Sequence, residues 1–264
     1  MVWPPQWRTA LVTGASSGIG RAFALALARR GMDVVAVARR RDRLEELAAE
    51  IAETYGRSVE ILPADLSERE GLAAVEARLA DADRPVDVLV NGAGFGTSGK
   101  FVDSSVETEQ QEIDVNVSAL VRLTRAAVPP MVARGTGAVV NVSSIAGHQP
   151  LPWWATYAAT KAYVTTFSRA LAAELGGTGV RVLTLMPGFT RTEFHKHDQL
   201  TRELIPGPAW MTPDAVAESA LGRLERGRTE SIPGFHNRAI AYLSRMSPWP
   251  LTRLVLRLGT RKVW

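Results

Sequence analysis

Short apolar runs alternate with longer amphipathic ones along the whole chain. Residues 9–12, 34–38, 59–62, 86–90, 138–142 and 180–185 are brief runs dominated by Val, Leu, Ile and Ala, apolar rather than strictly alternating, and they predict buried strands. Between them, apolar positions recur at helical spacing over 21–30, 43–55, 67–80, a long stretch from 106 to 133, 155–175 and 213–226. Gly31 stops the first helix, and Gly56 stops the second, whose apolar stripe is Leu44, Leu47 and Ile51. Ser67, with Glu70 three residues on, predicts a capped start for the third. A short strand at 229–232 and two helical pieces close the chain.

Strands that are apolar on both sides predict a parallel sheet covered on both faces. Regular strand–helix alternation without a linker or repeat predicts α/β architecture: one doubly wound, Rossmann-like domain with a mostly parallel seven-stranded sheet. That domain is expected to span residues 1–234, with 235–264 a basic amphipathic helical extension. The segment 190–212 breaks the rhythm, being polar and holding Pro206 and Pro208, and is read as a substrate lid near the carboxyl ends of the strands.

Composition narrows the class. At 264 residues, 46% hydrophobic and 22% charged, the chain fits an ordinary globular protein with a full core. It has no cysteine, which excludes disulfides and thiolate metal sites and leads us to expect a reducing, cytoplasmic setting. The first residues form no apolar run of signal-peptide length, and no run of 18 apolar residues occurs anywhere. Six of the 31 basic residues (Arg238, Arg245, Arg253, Arg257, Arg261, Lys262) lie in 235–264, which has no acidic residue. The remainder carries 25 basic against 27 acidic residues, so a nucleic-acid partner is not expected.

Two constellations carry chemistry. Gly14, Gly18 and Gly20 follow the first strand and open a helix, the arrangement that lets a pyrophosphate approach free N–H groups at a helix N-terminus, with Ser16 and Ser17 as added donors beside Ile19. Tyr157 and Lys161, four apart, share one helix face, so the ammonium is expected to lower the phenol's pKa from about 10. Ser144 stands 13 residues before Tyr157 at a strand end, placed to polarise a carbonyl; Ser143 competes but is out of register by one. Tyr157 is the candidate general acid and base.

These motifs together resemble the short-chain dehydrogenase/reductase family over roughly residues 8–233: Thr-Gly-Ala-Ser-Ser-Gly-Ile-Gly at 13–20, Asn91-Gly92-Ala93-Gly94, Asn116, Ser144, Tyr157 with Lys161, and Pro187-Gly188. One position departs, Gly92 standing where the family usually has a second asparagine that braces the sheet. The resemblance implies catalytic roles for Asn116, Ser144, Tyr157 and Lys161, with Asn116 anchoring a water that links Lys161 to solvent. It implies that Asp65 and Leu66 border the adenine, Asn91 and Ala93 its ribose, and Pro187, Gly188 and Thr190 the nicotinamide. It also implies a homodimer or homotetramer built on helices 106–133 and 155–175, and no catalytic metal.

The cofactor choice is read at the end of the second strand, where Arg39, Arg40 and Arg41 follow Ala38. A carboxylate there would repel a 2′-phosphate, whereas a guanidinium grips it, so NADP(H) is expected, Arg39 being the chief contact and Arg40 its neighbour. The bland alternative is a solvated basic helix start.

The stretch from His148 to Trp154, with Phe95, Phe189, Phe194, Trp210 and Met211, is expected either to wall an apolar pocket or to fill packing and subunit contacts. Glu193, His195, His197 and Asp198 make the only metal-like cluster and read better as polar lid residues. In the tail, Leu251, Leu254, Val255 and Leu258 beside Arg253, Arg257 and Arg261 suit a weak membrane-surface contact, or a helix covering the pocket or a neighbouring subunit, which is preferred. The expected activity is that of an NADP(H)-dependent ketoreductase with an apolar carbonyl or alcohol substrate. The competing expectation is a catalytically silent NADP(H)-binding scaffold, against which stands the filling of all four catalytic positions.

Overall fold

The computed structural model describes residues 4–195 and 207–246. Among these, seven strands form one sheet, β1 (Thr9–Thr13), β2 (Asp33–Ala38), β3 (Val59–Pro63), β4 (Val88–Asn91), β5 (Gly137–Val142), β6 (Val180–Leu185) and β7 (Glu230–Ser231). The order is β3-β2-β1-β4-β5-β6-β7, every neighbouring pair parallel. The predicted doubly wound sheet is therefore the observed one. After β3 the chain returns to lay β4 beside β1, so the winding reverses between those two strands. Crevices at such reversals are where ligands bind in open α/β sheets.

Burial follows from the strand period of two. Ala10 and Val12 of β1 face a core completed by Phe23 and Leu27 of α1 (Gly18–Arg29), Leu44, Leu47 and Ile51 of α2 (Arg41–Tyr55), and Leu221 and Leu224 of a later helix. Leu11, between them, faces a second core made by Leu72, Val75 and Leu79 of α3 (Arg69–Ala80) with Leu123 and Met131. Each wholly buried Leu, Ile or Phe contributes about 1.5–3 kcal/mol, so both faces are needed to hold the sheet.

Two expectations are corrected. The helix predicted from 106 to 133 is three pieces: α4 (Val106–Ile113), a π-helical turn (Asp114–Ala119) and α5 (Leu120–Arg134). The wider turn buries Asn116 to 1% exposure, and its side chain is spent on distant backbone rather than solvent. The third helix begins at Arg69, not Ser67, because the Ser67 N–H and hydroxyl both donate to the Asp65 carboxylate, at 2.9 and 2.7 Å. The remaining helices are α6 (Ala155–Glu174), α7 (Pro213–Glu225), capped by Thr212 donating none but accepting from the Ala215 N–H, and α8 (Phe235–Met246). The tail stripe at 251–258 lies outside the described residues.

At the opposite end of the sheet, Asp87 is 7% exposed and accepts the Arg8 and Thr9 N–H groups at 2.7 and 3.1 Å, tying the start of β1 to β4. Truncation would strand two inward-facing donors. We expect Asp87→Ala to lose about 2–4 kcal/mol in urea denaturation and Asp87→Asn, which keeps an acceptor, markedly less. Equal losses would show that the carboxylate's charge, not its acceptor geometry, carries the tie.

Candidate active site

The carboxyl ends of the central strands open onto a cavity of about 1120 Å³. Ligand pockets usually measure about 300–1,000 Å³, so this one stands just above the upper end of that range.

One end is built from backbone. Gly14 and Gly18 adopt left-handed φ of +70° and +55°. A Cβ on Gly14 would lie 2.9 Å from the Gly92 carbonyl oxygen, and one on Gly20 would lie 2.3 Å from that of Gly14. The turn thus presses against the chain after β4, where the Thr13 hydroxyl accepts the Gly92 and Ala93 N–H groups at 3.0 and 3.1 Å. Gly92 is required by the same contact, since its own Cβ would come 2.8 Å from the Thr13 carbonyl. A side chain there would break the fit, which gives the departure from asparagine a local reason. α1 starts at Gly18 with Ser17 at its N-cap, no side-chain cap bond and no acidic residue in its first turn. Ser16, Ser17, Gly18 and Ile19 line the cavity at this open helix end. Such an end suits an anionic pyrophosphate.

Arg39 and Arg40 line the rim, with Asp65, Leu66 and Ala93 alongside. The Arg39 guanidinium is 3.6 Å from Asp65 and its side chain is 71% exposed. Burial pushes the Asp65 carboxyl up, but its two bonds from Ser67 and the Arg39 charge outweigh that and hold it below the usual range. Arg40 donates to the Ser16 hydroxyl at 3.3 Å and to Glu193 at 2.9 Å.

Asn91 departs from its expected place. It is 3% exposed, its amide donates to Thr124 at 3.0 Å and Asn141 at 2.9 Å, and it is not among the residues facing the cavity. Its position at the last residue of β4 directs the side chain into the interior, so it clasps β4 to β5 and α5.

The other end holds the hydroxyls. Ser144 follows β5 and faces the cavity with Tyr157; its hydroxyl accepts the Ala146 N–H at 3.1 Å. Ser143 is occupied structurally, its hydroxyl donating to the Lys161 carbonyl at 2.7 Å beside Thr165 at 2.7 Å. Lys161 is 5% exposed; its ammonium donates to the Val142 carbonyl at 3.0 Å and lies 5.6 Å from the Tyr157 ring centre.

The expected depression of the Tyr157 pKa is not what the protein produces by itself. Burial, with the Glu112 charge adding to it, pushes the phenol up to about 12 against the downward pull of the Ser144 hydroxyl. Burial likewise pulls the Lys161 ammonium down to about 8 against the opposing Glu112 charge. Helical spacing brought the two groups together as read, but Lys161 is buried and Tyr157 partly so, and desolvation of the charged form is the largest cause of the shift at each.

Glu112 was missed by sequence reasoning. It is wholly buried, and its carboxylate accepts the Thr97 N–H at 2.9 Å and hydroxyl at 2.6 Å, while burial pushes its pKa up. The available signal was its spacing, four before Asn116 on the same helix face. Asn116 donates to the Phe95 carbonyl at 2.8 Å and the Thr160 hydroxyl at 3.1 Å, and accepts the Phe95 N–H at 3.1 Å. The pair pins residues 94–97 over α6. Asn116 does not reach the cavity wall through its side chain.

Aromatic rings close this end. Trp154 stands edge-on to Tyr157 at 5.6 Å and stacks with Phe194 at 6.1 Å, and Phe194 lies 5.3 Å from Tyr157. Gly96 makes room for all three: a Cβ there would come within 2.7–3.0 Å of every ring. Phe95, Trp153, Phe189 and Pro187 also line the wall, with Gly188 and Thr190, whose hydroxyl donates to the Gly188 carbonyl at 3.0 Å. Trp210 and Met211, expected there, stand behind it; Trp210 packs on Phe189 and Met211 against the core. Ile240 of α8, which the sequence did not signal, completes the lining. Among the described residues no three His, Cys, Asp or Glu converge as metal ligands; His197 and Asp198 lie outside them. No described helix is long and apolar enough to cross a membrane.

This geometry agrees with comparisons to known proteins. Residues 8–203 match the family model for short chain dehydrogenases. The chain is 35% identical over 218 residues to very-long-chain 3-oxoacyl-CoA reductase of Anas platyrhynchos, covering 81% of the chain and 67% of that protein. It spans 63% of the length of another relative, a short chain dehydrogenase of Pseudocercospora fijiensis. A short-chain dehydrogenase from Sphingobium yanoikuyae in complex with NADPH superposes with a TM-score of 0.82 at 38% identity, over 97% of this chain and 94% of that one. The bulky-bulky ketone specific alcohol dehydrogenase from Comamonas testosteroni gives 0.78 at 32% identity, over 92% and 95%. With its glycine turn, paired hydroxyls and buried lysine on one parallel sheet, the chain belongs to the short chain dehydrogenase family, nicotinamide-dependent oxidoreductases acting on CH–OH and C=O groups.

Proposed function

We propose that the protein is an NADP(H)-dependent ketoreductase for carbonyl compounds with large apolar substituents. The carrying observation is that Ser144 and Tyr157 face one and the same cavity, whose lining also includes the glycine turn and the aromatic wall. The cradle fits the cofactor: backbone packed too tightly for any Cβ, an uncapped helix end for the pyrophosphate, and Arg39 and Arg40 at the rim for a 2′-phosphate. When bound, the cofactor supplies the hydride in reduction and accepts it in oxidation.

The chain's own residues handle oxygen and proton. Ser144 donates a hydrogen bond to the carbonyl oxygen, favouring the charge that develops there. Tyr157 gives its phenolic proton to that oxygen in reduction and takes it back in oxidation. A phenol kept protonated by burial is loaded for the reductive direction. Lys161, fixed by the Val142 carbonyl, is the cation beside the phenolate left behind. Glu112 and Asn116 fix the 94–97 segment. The aromatic wall and Ile240 favour an apolar substrate, in keeping with the bulky ketones named for the Comamonas relative. We extend the reading to a homodimer or homotetramer, supported by Val106 of α4 and Tyr163 of α6, which leave 78% and 46% of their surface exposed.

Three outcomes test this reading. Tyr157→Phe is expected to lower kcat by about 10²–10⁴ while NADPH titration by fluorescence is unchanged; normal turnover would reassign the acid. Arg39→Ala is expected to weaken NADPH about ten- to a hundredfold and NADH little, since charge-assisted bonds contribute about 1.5–3 kcal/mol; a parallel loss for both cofactors would refute a 2′-phosphate role. Lys161→Met is expected to abolish turnover yet raise stability at pH 7 by about 1–3 kcal/mol, because a buried charge is replaced by an apolar chain of similar size. The folded lysine's pKa is lowered from 10.5 to about 8, so the unfolded chain binds the extra proton between those values. The wild type therefore regains stability as pH rises through that window, and the variant's advantage should shrink across it. A pH-independent difference in chemical denaturation would contradict this account.

A further inference from the structure

We propose that Glu193 is a cofactor-discriminating residue: its carboxylate, held on Arg40 at the rim of the cavity, sets how strongly that rim binds a 2′-phosphate. This rests on the NADP(H) reading of the same site.

Four guanidiniums cluster where β2 runs into α2, and each meets a carboxylate. Arg39 meets Asp65 at 3.6 Å, Arg41 meets Glu45 at 3.8 Å, and Arg43 meets Glu46 at 2.9 Å. Those three partners sit on the β3–α3 connection or on α2 itself, fixed parts of the scaffold. The fourth is different. Arg40 meets Glu193 at 2.9 Å, and Glu193 belongs to the short 3₁₀ turn Glu193–His195, contributed from across the cavity. Arg40 is also the N-cap of α2 and reaches the Ser16 hydroxyl of the glycine turn at 3.3 Å. Glu193 is felt beyond Arg40: the Arg43 guanidinium is raised first by its bond to Glu46 and in smaller part by the Glu193 charge.

A 2′-phosphate carries roughly −1.5 to −2 charges near pH 7 and prefers bidentate guanidinium contacts. Arriving at this rim, it either shares Arg40 with Glu193 and is repelled, or displaces Glu193 and forfeits the ion pair. Both routes weaken the phosphorylated ligand and leave the unphosphorylated one alone, so the sign of the effect does not depend on which is taken. The pair is 43% and 44% exposed, and pairs this exposed are worth a factor of about two to five.

The test is calorimetric titration of wild type, Glu193→Gln and Glu193→Asp with 2′,5′-ADP and 5′-AMP, fragments that differ in the 2′-phosphate. Glu193→Gln is expected to bind 2′,5′-ADP about two- to fivefold more tightly with 5′-AMP unchanged, the gain fading in high salt, and Glu193→Asp to behave as wild type. A wild-type preference for 2′,5′-ADP that Glu193→Gln leaves as it was, or equal tightening of both fragments, would overturn the proposal alone. Equal wild-type affinity for the two fragments would overturn the NADP(H) reading and this proposal with it.

Discussion

Keeping an amine charged inside a protein costs several kcal/mol, and the site is organised around meeting that cost at Lys161. The ammonium is almost sealed from water, fixed by the Val142 carbonyl at the end of β5, and opposed in its loss of charge by the wholly buried Glu112. Each of these partners arrives on a different element. The sheet supplies the carbonyl, α4 the carboxylate and α6 the lysine, so the charge is held only when all three are assembled.

The same requirement explains the crowding around the lysine. A Cβ on Gly94 would lie 2.8 Å from the Asn116 side chain and 3.3 Å from the Lys161 ammonium, and Gly96 admits three aromatic rings at once. Glycine at these two positions is the consequence of bringing a backbone segment between α4 and α6 without widening the gap. Asn116 and Glu112, one helical turn apart, then satisfy the N–H groups of Phe95 and Thr97 that the tight passage leaves facing inward. The π-helical turn is what swings Asn116 into line for this. A π-helical turn, two buried polar side chains and a costly cation are thus one assembly, the kind of local concession scaffolds make at functional sites.

Much of the fold was readable because parallel strands buried on both faces are apolar runs, and because Gly31 and Gly56 mark helix ends by left-handed backbone. Family membership was readable for a different reason, as a set of motifs in a fixed order. What escaped reading depends on contacts between distant residues. Nothing in the local sequence around Asn91 says whether its amide meets a ligand or clasps Thr124 and Asn141. The π turn leaves no mark in an apolar pattern that still resembles a 3.6-residue repeat. The direction of the Tyr157 shift needs the depth of burial as well as the position of a neighbouring charge, and only the second is encoded by four-residue spacing. Ile240 joins the wall because α8 folds back onto the loop after β6, where wholly buried Asn237 packs against Gly188. Once a side chain at 188 is excluded by that contact, the position of the last described helix is part of the site's definition.

The turn Glu193–His195 draws these strands of the structure together. Its first residue reaches Arg40, at the end of the cavity lined by the glycine turn; the next places a ring on Tyr157 and Trp154, at the aromatic end. Glu193 and Phe194 are consecutive residues of one short turn, so a shift of the backbone at the first contact is felt at the second. Coupling of this kind is reciprocal in free energy: an occupant of the Arg40 rim that shifts the turn must itself feel any ligand that presses on Phe194. An exposed ion pair and one aromatic stack set a modest ceiling on that exchange, a factor of a few rather than of thousands. Such a link is too weak to gate the chemistry. It is strong enough to make the affinity at each half of the cavity depend, by the same factor, on what occupies the other, which a cavity with two unconnected halves would not do.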